Sequence, residues 1–262
     1  MLDHNYRCPL DLTVPEALNP GDLDKMFERI VGDEFYQQFE PNILSMPNPS
    51  ADQKAKDIIN GPWIVELLKL LTDDECDTMI DLGAEEGYKA SSDIGKKNFD
   101  GSYTNSVNSG RTSTNAWCVN TCRVHETTNR VHNKIENVTG IPQMNSEYLQ
   151  LLRYEPGQFY QTHHDYIPHH VDRQMGVRTL TVFLYLNDVE EGGGTNFPHL
   201  NLVVKPKKGK AVIWPSVLDR DPNARDGRTE HGALPVIKGI KYGANAWTHQ
   251  RDFKTVLAAG CE

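Results

Sequence analysis

The sequence has no apolar run approaching the ~18 residues of a helical membrane span, so none is expected. It has no block of lysines and arginines, and its formal net charge is −9. No nucleic-acid partner is therefore expected. The opening MLDHNYRCPLDL lacks a basic segment followed by an apolar one, so no signal peptide is visible. Cytoplasmic residence is expected if the chain is complete, the alternative being a trimmed secretory form. Cysteine is scarce and odd in number: Cys8, Cys76, Cys118, Cys122 and Cys261. Cys118 and Cys122 in WCVNTC have no second ligand pair, which excludes a zinc site. A local disulfide or plain thiols remain, and thiols are the reading taken. A lone glycosylation tripeptide stands at Asn137-Val138-Thr139. Internal repeats are also lacking.

What is present suits one sizeable domain. The chain has 262 residues with 38% hydrophobic content, enough for one core plus an extension. Residues 1–60 read as an N-terminal extension with one helical stretch near 21–31, where Leu23, Met26, Phe27 and Ile30 recur at helical spacing. Trp63-Ile64-Val65 is β-like, and Thr72 with Glu75 forms a capping-box signature for a helix to about Gly87. Residues 96–116, rich in Gly, Ser, Asn and Thr, read as a long mobile lid-like loop without a packed face. A second helix is predicted over 122–137. From Ser146 onward short β-rich runs alternate with turn residues, which predicts a sandwich or barrel.

The chemistry starts at His163-His164-Asp165. Residues two apart on an extended segment face the same side, so His163 and Asp165 can converge on one metal. His231, after a long loop and before a β-type run, is the candidate third ligand. Two histidines and a carboxylate with open positions define a non-haem iron(II) oxygenase site. His164, His169, His170 and His199 are assigned as surface or hydrogen-bonded imidazoles. Lys241 lies on GIKYGANAWTHQ, a predicted strand whose Lys241, Gly243, Asn245, Trp247 and His249 share a face. A hairpin through Lys238-Gly239 is expected to join it to ALPVI. A lysine on an interior face calls for an anion, and the distal carboxylate of 2-oxoglutarate would be one; a lysine snorkelling to the rim is the plain alternative.

YEPGQFYQTHHDY, LTVFLYLNDVEEGGGTNFP and HGALPVIKGIKYGANAW together resemble the prolyl 4-hydroxylases of the 2-oxoglutarate dioxygenase superfamily, of the collagen or plant–algal type. The resemblance covers about residues 60–255. It implies a double-stranded β-helix (jelly-roll) core over about 146–250, supporting N-terminal helices, a catalytic domain over 61–255 and a tail over 256–262. It implies iron(II) on His163, Asp165 and His231, and 2-oxoglutarate bound by Lys241, Tyr154 and Thr195, with Trp247 walling the pocket. Peptide contacts are implied for Arg111, Trp117, Glu147, Tyr160, Arg178 and His249, the plain alternatives being that Tyr160 and Trp117 simply pack and that Glu147 and Arg178 form an ordinary ion pair. The implied reaction is hydroxylation of peptidyl proline at C4 by O2, with succinate and CO2 as co-products and ascorbate as rescuing reductant. The family implies the endoplasmic reticulum lumen. The sequence departs from the family in having GGGT for the usual GGET, a short stretch between Asp165 and Arg178, a long charged segment before His231, and no Cys-rich module after the β-rich region. Two other readings are kept: a 2-oxoglutarate oxygenase acting on another peptidyl residue or a free amino acid, and a non-catalytic peptide-binding jelly roll.

Overall fold

The computed structural model describes residues 8–11, 13–54, 56–97, 103–106 and 109–261. The first seven residues, read above for a leader, and 98–102 and 107–108 of the expected loop lie outside the described residues. In chain order the strands are β1 (Pro41–Met46), β2 (Ile59–Asn60), β3 (Ile64–Leu67), β4 (Lys89–Ala90), β5 (Asp93–Lys97), β6 (Tyr103–Ser106), β7 (Thr114–Trp117), β8 (Gln150–Tyr154), β9 (Tyr160–His163), β10 (Arg178–Tyr185), β11 (Glu191–Gly192), β12 (Thr195–Phe197), β13 (Leu202–Val204), β14 (Ala211–Pro215), β15 (Val217–Leu218), β16 (Asp221–Arg225), β17 (His231–Ala233), β18 (Val236–Lys238) and β19 (Lys241–His249). The helices are α1 (Asp22–Gly32), α2 (Ala51–Lys54), α3 (Asp73–Glu86), α4 (Thr121–Val124), α5 (Glu126–Thr139) and α6 (Phe253–Ala258). None of the described helices is long and apolar enough to cross a membrane.

A nine-stranded sheet runs β2-β1-β3-β14-β10-β19-β8-β7-β4, and a four-stranded sheet runs β13-β12-β17-β9. Together they form the jelly roll. Strand alternation sorts the interior into two cores. Leu180, Val182 and Leu184 of β10, with Ala244 and Ala246 of β19, face the helices. Phe183 and Tyr185 of β10, with Tyr154 and Trp214, face the smaller sheet. The helical side is closed by Phe27 and Ile30 of α1, Met79 and Leu82 of α3, and Val131 and Ile135 of α5. Phe27 is fully buried and stacks on Trp63 at 5.4 Å, a contact whose truncation to alanine would cost ~3–5 kcal/mol. The expected N-terminal extension thus packs on this core, and its β1 joins the large sheet. The capping box forms as read: Glu75 N donates to Thr72 Oγ1 at 3.2 Å, and Thr72 N to Glu75 Oε2 at 2.9 Å.

Four expectations are corrected. The helix predicted over 122–137 is broken into α4 and α5 at His125, whose extended backbone lets its ring cap Thr127 N. The loop expected over 96–116 contributes β5, β6 and β7; β7 pairs with β8, so a non-local partner supplies the ladder that its own composition does not announce. No hairpin joins β18 to β19: β18 pairs with β11, while β19 pairs with β8 and β10. Gly239, at φ 87°, carries the chain from one layer to the other. Cysteines 118 and 122 form a disulfide rather than thiols, and Cys8 pairs with Cys261, leaving Cys76 buried and free. The pairing of Cys8 with Cys261, 253 residues apart, is set by the meeting of two distant segments and is invisible to local spacing.

Candidate metal centre and substrate cleft

The antiparallel register of β9 and β17 sets His163 directly opposite His231, with ring centroids 4.4 Å apart. Asp165 follows in a bend just beyond β9. Its Oδ1 is 3.8 Å from His163 Nε2, and its Oδ2 is 3.5 Å from His231 Nε2. All three ligand atoms lie within 4.8 Å of one another, which no other group of His, Cys, Asp or Glu matches among the described residues.

Hydrogen bonds fix what each group offers. His163 Nδ1 meets the Gln161 carbonyl at 2.9 Å, and His231 Nδ1 meets the Thr229 carbonyl at 3.0 Å. A carbonyl can only accept, so each Nδ1 carries the proton and each Nε2 keeps a lone pair for a metal. Burial, reinforced by the neighbouring His231, pushes His163 down to about 3. Burial is also the largest single influence on Asp165 and opposes ionisation. It is outweighed by His231, His163, Arg178 and the hydrogen bond from Thr181 Oγ1 at 2.6 Å, so the carboxyl stays well below the usual range. Two imidazoles that turn Nε2 inward and a carboxylate are the donor set of a facial iron(II) site. The residues fit iron(II).

Behind the histidines, between the sheets, is a narrow inner pocket lined by Tyr154, Phe183, Thr195, Trp214, Lys241 and Asn245. Lys241 opens β19 opposite Tyr154. It is 1% exposed, and its Nζ has no hydrogen-bond partner. The rings of Tyr154 and Phe183 lie 5.1 Å away and that of Tyr185 5.6 Å away. Burial pushes the amine down to about 7. Thr195 Oγ1 shares a hydrogen bond with Tyr185 Oη at 2.7 Å. A buried, unpaired ammonium is costly, and a carboxylate entering from the metal side would remove that cost. The pocket fits a cosubstrate with an anionic far end.

The outer cleft, about 510 Å³, opens from His163 and Asp165. Arg111, Trp117, Tyr160, Arg178 and Trp247 line it, together with the stretch 163–169. Tyr160 stacks on His163 at 3.7 Å and lies under Arg111 at 4.5 Å. Arg178 lies 3.9 Å over Trp247, which is 6.2 Å from Trp117. Trp247, expected beside the cosubstrate, stands in this outer cleft, and its buried Nε1 has no partner. Glu147 and His249, expected against peptide, are buried behind Arg178 and do not line the cleft. Glu147 accepts from Arg178 Nε at 2.6 Å and Nη2 at 3.1 Å, and from His249 Nε2 at 2.8 Å. Burial would raise Glu147, but Arg178 and His249 outweigh it and hold the carboxyl at about 2.

Of the histidines assigned plain roles, His199 pairs with Glu230 at 3.0 Å and His170 is buried. His164 and His169 line the cleft, His164 donating from Nε2 to the Asp226 carbonyl at 2.8 Å. Sequence reading missed Thr181, Phe183 and Tyr185. The signal was there: on β10 every second residue from Thr181 faces the site, while Leu180, Val182 and Leu184 face the helices.

Residues 149–249 match the family model of the 2OG-Fe(II) oxygenase superfamily. The chain is 32% identical over 217 residues to the probable prolyl 4-hydroxylase 7 of Arabidopsis thaliana, covering 73% of this chain and 64% of that one. It is 32% identical over 235 residues to prolyl 4-hydroxylase 2 of the same plant, covering 81% and 75%. Among solved structures it resembles a viral collagen prolyl hydroxylase from Paramecium bursaria Chlorella virus-1, in its 2OG complex, with a TM-score of 0.56, 28% identity and coverage of 72% of this chain and 97% of that one. With the paired histidines, the aspartate and the jelly roll already in place, these similarities show that the chain is a 2-oxoglutarate- and iron(II)-dependent dioxygenase and belongs to the prolyl 4-hydroxylase family.

Proposed function

We propose that this chain hydroxylates peptidyl proline at C4, consuming 2-oxoglutarate and O2 and releasing succinate and CO2. One observation carries the reading: a lone buried amine, Lys241, faces the His163–Asp165–His231 cluster across an inner pocket, while an aromatic cleft opens on the other side of His163. Iron(II), when bound, supplies the redox chemistry that couples O2 to the decarboxylation of 2-oxoglutarate.

The protein's own residues supply binding, orientation and dryness. His163 and His231 present lone pairs because their Nδ1 protons are committed to carbonyls, and Thr181 fixes the Asp165 carboxylate. Lys241 pairs with the far carboxylate of 2-oxoglutarate, with the hydroxyls of Thr195 and Tyr154 in the same pocket and Tyr185 Oη holding Thr195 Oγ1. The rings walling that pocket exclude water and strengthen the pairing. In the cleft, proline-rich chain is stiff and extended before binding. Trp247 and Trp117 offer faces for proline rings, and the unpartnered Trp247 Nε1 suits a peptide carbonyl.

The test is incubation with iron(II), ascorbate, 2-oxoglutarate and peptides carrying Pro-Pro-Gly, Ser-Pro or Ala-Pro repeats. The expected product gains the mass of one oxygen atom on proline, with one succinate per turnover. Succinate formation with free amino acids but with none of the peptides would overturn the reading.

A further inference from the structure

We propose that the Cys8–Cys261 disulfide, acting through Phe253, positions the Arg178 wall of the cleft and so sets the affinity for peptide without touching the cosubstrate pocket. The inference rests on reading the outer cleft as the peptide site.

The disulfide lies in a small apolar cluster of its own, with Met175, Phe253 and Val256, apart from both cores of the jelly roll. From that cluster a continuous set of contacts reaches the cleft. Phe253, the first residue of α6, stacks on the His249 ring at 4.9 Å and 23°. His249 is held at both nitrogens, by the Gly176 carbonyl at 2.9 Å and by Glu147 at 2.8 Å. Glu147 grips Arg178 through two nitrogens, and Arg178 lies over Trp247 in the cleft. Every group between the disulfide and Arg178 is buried, so a shift at one end has no solvent in which to dissipate.

A second line of contacts runs along the backbone. The segment 14–18 lies beside residues 250–251: Ala17 N donates to the Gln250 carbonyl at 2.7 Å, and Arg251 Nη2 to Glu16 at 2.6 Å. Residues 250–251 in turn hold the stretch leading into Arg178. Arg251 N donates to the Met175 carbonyl at 2.8 Å, and Gln250 N to the Val177 carbonyl at 3.2 Å. Gly176, at φ +71°, sits so close that an added Cβ would be 2.9 Å from Gln250 Cβ. The disulfide thus ties Cys8, and with it the stretch 14–18, to the segment 250–261 around the loop that delivers Gly176 and Arg178. Lys241 takes no part in these contacts, and Arg178 reaches the iron cluster only through its charge, which lowers Asp165.

The experiment compares steady-state constants for peptide and for 2-oxoglutarate in Cys8→Ser/Cys261→Ser, Phe253→Leu, Phe253→Tyr and Arg178→Ala. The expected result is a peptide KM raised about fivefold in the double serine variant and in Phe253→Leu, with the 2-oxoglutarate KM unchanged. Phe253→Tyr, which keeps the ring, should restore the wild-type value. Phe253→Leu leaves the disulfide intact, so it decides the matter if the double serine variant does not fold. Equal rises in both KM values would show general loosening and overturn the inference. If Arg178→Ala raises the peptide KM but the cysteine and Phe253 variants do not, the inference alone fails. If Arg178→Ala leaves the peptide KM unchanged, the reading of the cleft fails instead.

Discussion

The inner pocket and the outer cleft share His163 as a common wall, yet they are built on opposite electrostatic plans. In the inner pocket the decisive charge, Lys241, is left unpaired among aromatic rings. In the cleft Arg178 is already neutralised by Glu147 and laid flat on Trp247. An unpaired buried charge selects its ligand by charge; a paired one selects by shape and ring contact. If the cleft takes peptide as proposed, the difference separates the recognition of a small dianion from that of a long chain.

Four experiments would break or sharpen that contrast. The largest effect is expected for His231→Ala or Asp165→Ala, which should abolish turnover and iron retention together. Metal analysis after gel filtration checks this, and a variant that keeps stoichiometric iron and activity would remove the metal centre from the inner wall. Next is Lys241→Ala, which should raise the 2-oxoglutarate KM on the order of a hundredfold and leave the peptide KM near its original value. A comparable rise in both would mean that the two regions are not electrostatically separate.

Third is pH. Burial holds the free Lys241 amine at about 7, and a bound carboxylate raises it. The charged form therefore dominates below pH 7, where affinity for 2-oxoglutarate is full. Affinity should fall as pH rises above 7, by up to about tenfold per unit, until the raised pKa of the complex is reached. Calorimetry in buffers of different ionisation enthalpy should detect proton uptake on binding at pH 8 and none at pH 6. Peptide affinity, resting on a paired arginine and rings, should lack this dependence. The smallest effect is expected for Trp117→Ala. It should raise the peptide KM several-fold, by the worth of one exposed ring contact of about 1 kcal/mol, with 2-oxoglutarate affinity unchanged.

The sequence by itself determined the chemistry-bearing residues of the inner region. The His163-x-Asp165 spacing, the step from His231 to Lys241 and the alternation along β19 are local patterns, and local patterns survive in one dimension. The capping box of α3 and the apolar spacing of α1 were legible for the same reason. Tertiary structure alone decided the rest. The register of β9 against β17 set His163 opposite His231, across a separation that no periodicity spans. Gly239 sent β19 to the other sheet instead of into a hairpin, and this put Lys241 across from the histidines. The burial of Glu147 and His249 behind Arg178, the place of Trp247 in the cleft rather than the pocket, and the pairing of Cys8 with Cys261 all depend on which distant segments meet. Side-chain type fixes what a residue can do; only the packing of remote strands fixes which neighbour it does it to.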